Sequence, residues 1–249
     1  MRISRLYLAG ALAEGTRLRL DEESGHYLKT VLRLKRGFEL TVFNGEGGEY
    51  AAKVAEAKRD GVLLDIGARR DRDAESPLVT HLGLGISRGE RMDLAIQKAV
   101  ELGVSRITPL FTEHCVVRLD EARAGNRRLH WQKVARSACE QCGRNRVPEV
   151  AEPVELEDWV GGQAGLRLFF DPQGAVGLRD LPVPEGPVCL LSGPEGGFAE
   201  RERKLAREAG FVPVRLGPRV LRTETAVLAA LAAVQVLWGD LGGVDLPVD

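Results

Sequence analysis

The chain has no apolar run of about 18 residues, the length a membrane-crossing helix needs, so no span is predicted. Its basic start, Met1-Arg2-Ile3-Ser4-Arg5-Leu6, is not followed by a long apolar segment, which argues against a secretory signal. A cytoplasmic location is expected. Cysteine is scarce: Cys115, Cys139, Cys142 and Cys189. Only Cys139-x-x-Cys142 is closely spaced, and a structural zinc would need a second close pair. That pair lies inside a helical pattern, so free thiols and no metal are expected. A net charge of −1 does not by itself suggest nucleic acid.

What is present suits a globular chain. Its 249 residues, 44% hydrophobic and 29% charged, can build one large domain or two smaller ones. Charge is unevenly spread. From Arg118 to Arg146 the cations are Arg118, Arg123, Arg127, Arg128, Lys133, Arg136, Arg144 and Arg146, against Asp120, Glu121 and Glu140. A solvated helix face and an RNA-binding surface both account for that run.

The first part of the chain is a series of short strands. Phe38–Phe43 alternates, Asn44-Gly45 signals a hairpin turn, and Glu49–Ala55 returns. Asp60-Gly61 turns again before Val62–Ile66. A helix is expected around Glu22–Val31, with Tyr27, Leu28, Val31 and Leu32 on one face. Together these predict a small β-barrel over residues 1–70. Arg69–Pro77 has the character of a linker. Beyond it strands and helices alternate. Strands are expected at Leu78–Ile86, Arg106–Phe111, Leu166–Phe170, Val188–Leu191 and Val212–Leu216. Helices are expected at Arg91–Leu102, Asn126–Cys142, Arg201–Ala209 and Thr223–Leu241. That alternation predicts an α/β domain over residues 71–249, a parallel sheet flanked by helices. Gly83-Leu84-Gly85-Ile86-Ser87-Arg88-Gly89 places its third glycine one position late for a dinucleotide fingerprint.

Two segments near the end carry the most information. Leu190–Phe198 and Val214–Ala226 each run from an apolar strand through a glycine-proline loop into a helix. Such loops grip a ligand mainly through peptide groups. Neither contains the Lys-Ser or Lys-Thr pair of a phosphate loop, and Glu195 would repel a phosphate. A neutral or cationic small molecule suits them better.

These phrases, SGPEGGF at Ser192–Phe198 and LGPRVLRTETA at Leu216–Ala226, resemble the C-terminal motifs of the RsmE-type 16S ribosomal RNA uridine-N3 methyltransferases. Gln97–Leu110, Trp131–Glu149, His26-Tyr27-Leu28 and Val31-Leu32-Arg33 are similar to further motifs of that family. The family belongs to the SPOUT superfamily, and the resemblance implies an N-terminal PUA-like barrel and a C-terminal trefoil knot. In that knot Phe170-Asp171, the Gly193–Phe198 loop and the Leu216–Thr225 loop interlace. It also implies S-adenosylmethionine as cofactor, uracil N3 in the decoding region of 16S rRNA as target, the small ribosomal subunit as partner, and a homodimer. A non-catalytic RNA-binding or ribosome-assembly protein is the alternative.

On that resemblance the cofactor contacts are Leu191, Ser192, Gly193, Glu195, Gly196, Gly197, Leu216, Gly217, Leu221, Arg222, Thr223, Thr225 and Ala226. Arg222 is the first candidate for a positive group beside the reacting base, or else a structural arginine binding loop carbonyls. Glu195 is either a sulfonium partner or a helix N-terminal acid, and Glu224 either a base or a first-turn acid. Thr223 and Thr225 contact the cofactor or cap the last helix. Lys29, Arg33, Arg127, Arg128, Arg136, Arg144 and Arg146 are the candidate RNA contacts. Arg144, Asn145 and Arg146 would reach the partner subunit's site. Ala199 stands where an N-cap side chain is usual, so the cap is expected to shift.

Overall fold

A computed structural model of the chain describes residues 4–31, 33–58, 61–115 and 121–243. Met1–Ile3 of the basic start, Leu32 of the predicted helix, Asp60 of the predicted turn, and Arg118 and Asp120 of the basic run lie outside the described residues, as do the side chains of Val31 and Glu121. The chain divides into two compact units: Met1–Glu75 with Cys139–Val147, and Ser76–Ala138 with Pro148–Asp249.

The first unit is a five-stranded sheet in the order β1-β3-β4-β5-β2. Its strands are β1 (Ser4–Tyr7), β2 (Arg17–Arg19), β3 (Glu39–Phe43), β4 (Glu49–Lys58) and β5 (Gly61–Arg70). The hairpin forms as read: β3 and β4 pair antiparallel on either side of Asn44-Gly45. Alternate residues of these strands, among them Leu40, Val42, Val54, Val62 and Leu64, bury into one core with Leu28. Leu28 follows helix α1 (Glu22–His26), which Asp21 caps by accepting from the Ser24 N–H at 2.8 Å. The predicted helix continues to Val31, but as a wider π-helical turn, Tyr27–Val31.

Cys139–Val147 completes this unit. The Asn145 amide donates to the Arg72 carbonyl at 2.8 Å, and Arg144 Nε donates to Glu75 at 2.9 Å. The segment that composition marks as a linker is therefore pinned by a distant stretch of chain.

The second unit has a sheet of seven strands among the described residues. They are β6 (Thr80–Gly85), β7 (Arg106–Phe111), β8 (Glu149–Val150), β9 (Val154–Glu155), β10 (Leu166–Phe170), β11 (Val188–Ser192) and β12 (Val212–Val214). The order is β12-β10-β11-β6-β7-β8, with β9 also on β7, and every pairing is parallel. Central β11, Val-Cys-Leu-Leu-Ser, is buried at every residue, as a parallel strand covered on both faces must be.

Helices α2 (Gly89–Glu101), α3 (Glu121–Cys142), α4 (Leu156–Val160), α5 (Glu200–Glu208) and α6 (Thr223–Trp238) connect the strands or close the chain. In α2, Met92, Ala95, Ile96, Ala99 and Val100 recur at three- and four-residue steps and form the buried stripe, which packs on α6. Helices α4 and α5 pack together, and Trp159, Val160 and Ala206 join Cys189, Leu191 and Phe211 in one core.

Gly83 and Gly85 of β6 have a packing role. A methyl group on Gly83 would lie 2.4 Å from the Trp159 ring, and one on Gly85 would lie 2.5 Å from the Pro194 nitrogen. The glycine pair that fails as a nucleotide fingerprint is there to admit an indole and a loop.

Candidate functional site

Because the sheet is parallel, the loops after β10, β11 and β12 leave it on the same side. Together with the start of α6 they enclose a cavity of about 430 Å3, a size ordinary for a small-molecule site. Phe170-Asp171-Pro172, Ser192–Glu195 with Gly197 and Phe198, and Val214–Gly217 with Arg219–Glu224 and Ala226 line it. Arg91 of α2 and Arg203 of α5 complete the wall.

The predicted contacts Ser192, Gly193, Glu195, Gly197, Leu216, Gly217, Leu221, Arg222, Thr223, Glu224 and Ala226 therefore meet in one place. Leu191, Gly196 and Thr225 do not face the cavity. Leu191 is buried in the sheet core, the Gly196 carbonyl lies 3.0 Å from His114 Nδ1, and Thr225 is exposed on α6. Gly197 closes a tight turn with φ of 67°, and its N–H donates to the Pro194 carbonyl at 2.9 Å.

Glu195 is engaged through Oε1, while its Oε2 is buried with no hydrogen-bond partner. One carboxylate oxygen accepts from the Arg88 N–H at 3.1 Å and from Arg91 Nη1 at 3.2 Å. Burial alone would raise its pKa, but its own N–H, the Arg88 N–H and the Arg91 guanidinium outweigh that and hold it below the usual carboxylate range. It lies before α5, not on α5's first turn. Glu224 does sit on the first turn of α6, and its Oε2 is buried with no hydrogen-bond partner. Arg222 is the N-cap residue of α6 in extended conformation, and its carbonyl accepts from the Ala226 N–H at 2.8 Å. Thr223 and Thr225 thus lie inside the helix, and neither is its cap. The Arg222 guanidinium is exposed at the cavity mouth with those of Arg215 and Arg219.

The cap of α5 does not shift to another residue. Ala199 keeps the N-cap position, and Glu202 reaches back to accept from the Ala199 N–H at 2.8 Å. Its other oxygen accepts from the Glu113 N–H at 2.8 Å, tying down the loop after β7.

Asp171, Arg203, Arg215 and Arg219 also line the cavity; the resemblance puts Asp171 among the interlaced loops and Arg219 in a family motif, but none of the four is a predicted contact. An aspartate at the carboxyl end of a parallel strand was the available signal for Asp171. Arg203 lies in a charged run, Glu-Arg-Glu-Arg-Lys, that looks like a solvated face.

The candidate RNA residues divide. In the first unit Arg33 and Arg146 are exposed, and Lys29 Nζ donates to the Lys58 carbonyl at 3.2 Å. Arg144 is buried and committed to Glu75. In the second unit Arg127 is exposed, Arg128 pairs with Glu152 at 2.6 Å, and Arg136 is half-buried. Of the charges near α2, Asp93 pairs with His130 and Lys98 with Glu101. The four cysteines are free, and burial pushes the Cys139 thiol up to about 12. Among the described residues no His, Cys, Asp and Glu side chains cluster as metal ligands, and no helix is long and apolar enough to cross a membrane.

Residues 74–235 match the RNA methyltransferase domain family, and residues 20–67 match the RNA methyltransferase PUA domain family. The chain is 38% identical over 242 residues to Ribosomal RNA small subunit methyltransferase E of Buchnera aphidicola subsp. Schizaphis graminum, covering 96% of this chain and 98% of that one. A protein of Legionella pneumophila, solved in complex with the bound cofactor SAM, superimposes with a TM-score of 0.94 at 42% identity, over 97% of this chain and 100% of that one. Ribosomal RNA small subunit methyltransferase E of Neisseria gonorrhoeae, solved bound to S-adenosyl methionine, gives 0.90 at 39% identity, over 96% and 99%.

Proposed function

The chain belongs to the ribosomal RNA small subunit methyltransferase E family of SPOUT RNA methyltransferases, and we propose that it transfers the methyl group of S-adenosylmethionine to uracil N3 in the decoding region of 16S rRNA. The observation that carries this reading is the cavity at the carboxyl ends of β10, β11 and β12, where the two glycine-proline loops meet Asp171 and the start of α6. Its residues fit the cofactor. Peptide groups around Leu216, Leu221 and Ala226 suit the edge of an adenine, and the open glycines leave room for ribose and sulfonium. The orphaned Glu224 oxygen favours a donor or a cation over a phosphate. The trefoil arrangement of the three loops is part of the same proposal.

When bound, the cofactor supplies an electrophilic methyl group on sulfur. Uracil N3 carries a proton and attacks carbon only once that proton is lost. Bound there, the cofactor would supply that methyl group to N3, with the homocysteine sulfur as leaving group, once a base had taken the N3 proton. Arg222, at the mouth and next to the cavity, supports the uracil anion by its charge. Glu224 accepts the proton or orients the group that does. Glu195, held by Arg88 and Arg91, acts by shaping its loop and by its negative field.

Exposed Arg33, Arg127 and Arg146, with Lys29, Arg128 and Arg136, contribute phosphate contacts, and Arg144 contributes by holding its loop. The homodimer uses α6, whose Val236 and Leu237 are exposed apolar residues with Trp238 beside them. Location in the cytoplasm belongs to the same reading.

The test is mass mapping of 16S rRNA from a deletion strain restored with wild-type protein or Arg222→Ala. The wild type is expected to return a methylated uridine. Arg222→Ala is expected to lower turnover by about 10²–10³-fold while still binding S-adenosylmethionine. Near-normal methylation by that variant removes Arg222 from the chemistry, and rRNA unchanged by the wild type removes the activity.

A further inference from the structure

We propose that Arg203 is a positioning residue that locks the three loops of the cavity into one spacing, so that its loss weakens cofactor binding and leaves the chemical step intact. This rests on the cofactor reading above and concerns a residue that reading does not use. Arg203 lies on α5, outside both glycine loops. Its Nη1 is 3.0 Å from each carboxylate oxygen of Asp171, and its Nε donates to the Phe198 carbonyl at 3.2 Å. The Asp171 side chain is 1% exposed and the Arg203 side chain 16%, so solvent screens the pair little.

Each end of this contact is anchored further. The Asp171 N–H donates to the Val214 carbonyl at 3.0 Å, which joins the loop after β10 to the end of β12. Asp171 Oδ1 also accepts from the Gln173 N–H at 2.9 Å. On the other side, the Phe198 ring stands edge-on to Phe169 and lies against Gly193 in the opposite limb of its loop. One planar guanidinium thus spans the loops after β10 and β11, and Asp171 passes the constraint to the third.

A lysine carries the same charge but not the fork of donors, so it can pair with Asp171 or reach Phe198 but not hold both. That separates positioning from simple charge balance. Arg203→Gln would leave the buried Asp171 without its cation and endanger folding, so R203K is the informative variant, with D171N as its complement. Arg207→Gln, which removes an exposed contact to Glu200 on the same helix, is the control.

The experiment measures calorimetric Kd for S-adenosylmethionine, KM and kcat, and amide exchange in the ligand-free protein. For R203K the expected result is a Kd and KM raised about tenfold, the size of one lost charge-assisted hydrogen bond. With the cofactor saturating, kcat is expected within about twofold of wild type. The Gln173 and Gly174 amides should exchange faster together with Gly197, whereas R207Q changes none of these. Wild-type affinity and exchange in R203K overturn the proposal. So does a fall in kcat that saturation does not restore, which would place Arg203 in the reaction itself. If the wild type binds no S-adenosylmethionine, the cofactor reading fails, and the exchange experiment still decides whether Arg203 couples the loops.

Discussion

The two ends of the parallel sheet each hold a recess, and they differ in what lines them. At the amino ends of β6, β7 and β11 a recess of about 750 Å3 is walled by side chains, among them His81, Thr108, Trp159, Gln163 and Cys189. These groups are mostly partnered or kept neutral. His81 Nε2 lies 2.8 Å from Thr108 Oγ1, and its ring meets Trp159 edge-on. Burial first, then the charge of Arg106, pushes the His81 pKa down to about 4. Burial likewise pushes the Cys189 thiol up to about 12. At the carboxyl ends the smaller cavity is lined by glycines, arginines and apolar residues of the three loops. Volume would choose the amino end. Strand direction chooses the other, because there the loops after β10, β11 and β12 converge.

Three substitutions sharpen that contrast, and the first should have the largest effect. Gly85→Ala places a methyl group against the backbone of Pro194 and Gly193, which must move. Overpacking of this kind costs about 1–3 kcal/mol. Expressed in the loop, that raises the Kd for S-adenosylmethionine about tenfold or more, as calorimetry would read. Gly83→Ala, two residues earlier on the same face, meets the Trp159 ring instead. It should lower stability to denaturant by a similar energy, about 1–3 kcal/mol, and leave cofactor affinity near wild type. If both variants lost affinity equally, the two ends would not be independent.

The smallest effect concerns pH. Folded His81 takes up a proton near pH 4, against 6.5 for the unfolded chain, so the unfolded state holds the extra proton between those values. Its contribution is full above about pH 6.5 and is lost as pH falls towards 4. His81→Gln should flatten that part of the stability profile in urea titrations and leave turnover at neutral pH unchanged.

The carboxyl-end loops were legible in the sequence because each combines an apolar strand, a glycine-proline turn and a helical pattern within a dozen or so residues. β7 and β10 appear with the bounds read from their apolar runs, Arg106–Phe111 and Leu166–Phe170. Features made by distant residues were not legible. Arg203 finds Asp171 across 32 positions of sequence, and nothing in Glu-Arg-Glu-Arg-Lys distinguishes the arginine that turns inward. The strands β8 and β9 have two residues each, too few to show a period. The last turn of α3 and the loop after it join the first unit through Asn145 and Arg144, whose partners Arg72 and Glu75 look like linker residues in sequence. Ala199 misled for a related reason: the group that caps its N–H, Glu202, is three residues ahead and also serves Glu113.

The most direct test is a crystal of the protein soaked in S-adenosylmethionine. Density for the cofactor is predicted between Asp171, the Gly193–Phe198 turn and the Leu216–Ala226 segment, with the adenine edge on main-chain groups and the methyl group towards Arg222. Cofactor seated at the amino ends beside His81 and Trp159, or absent from the space between the three loops at saturating concentration, would contradict the account.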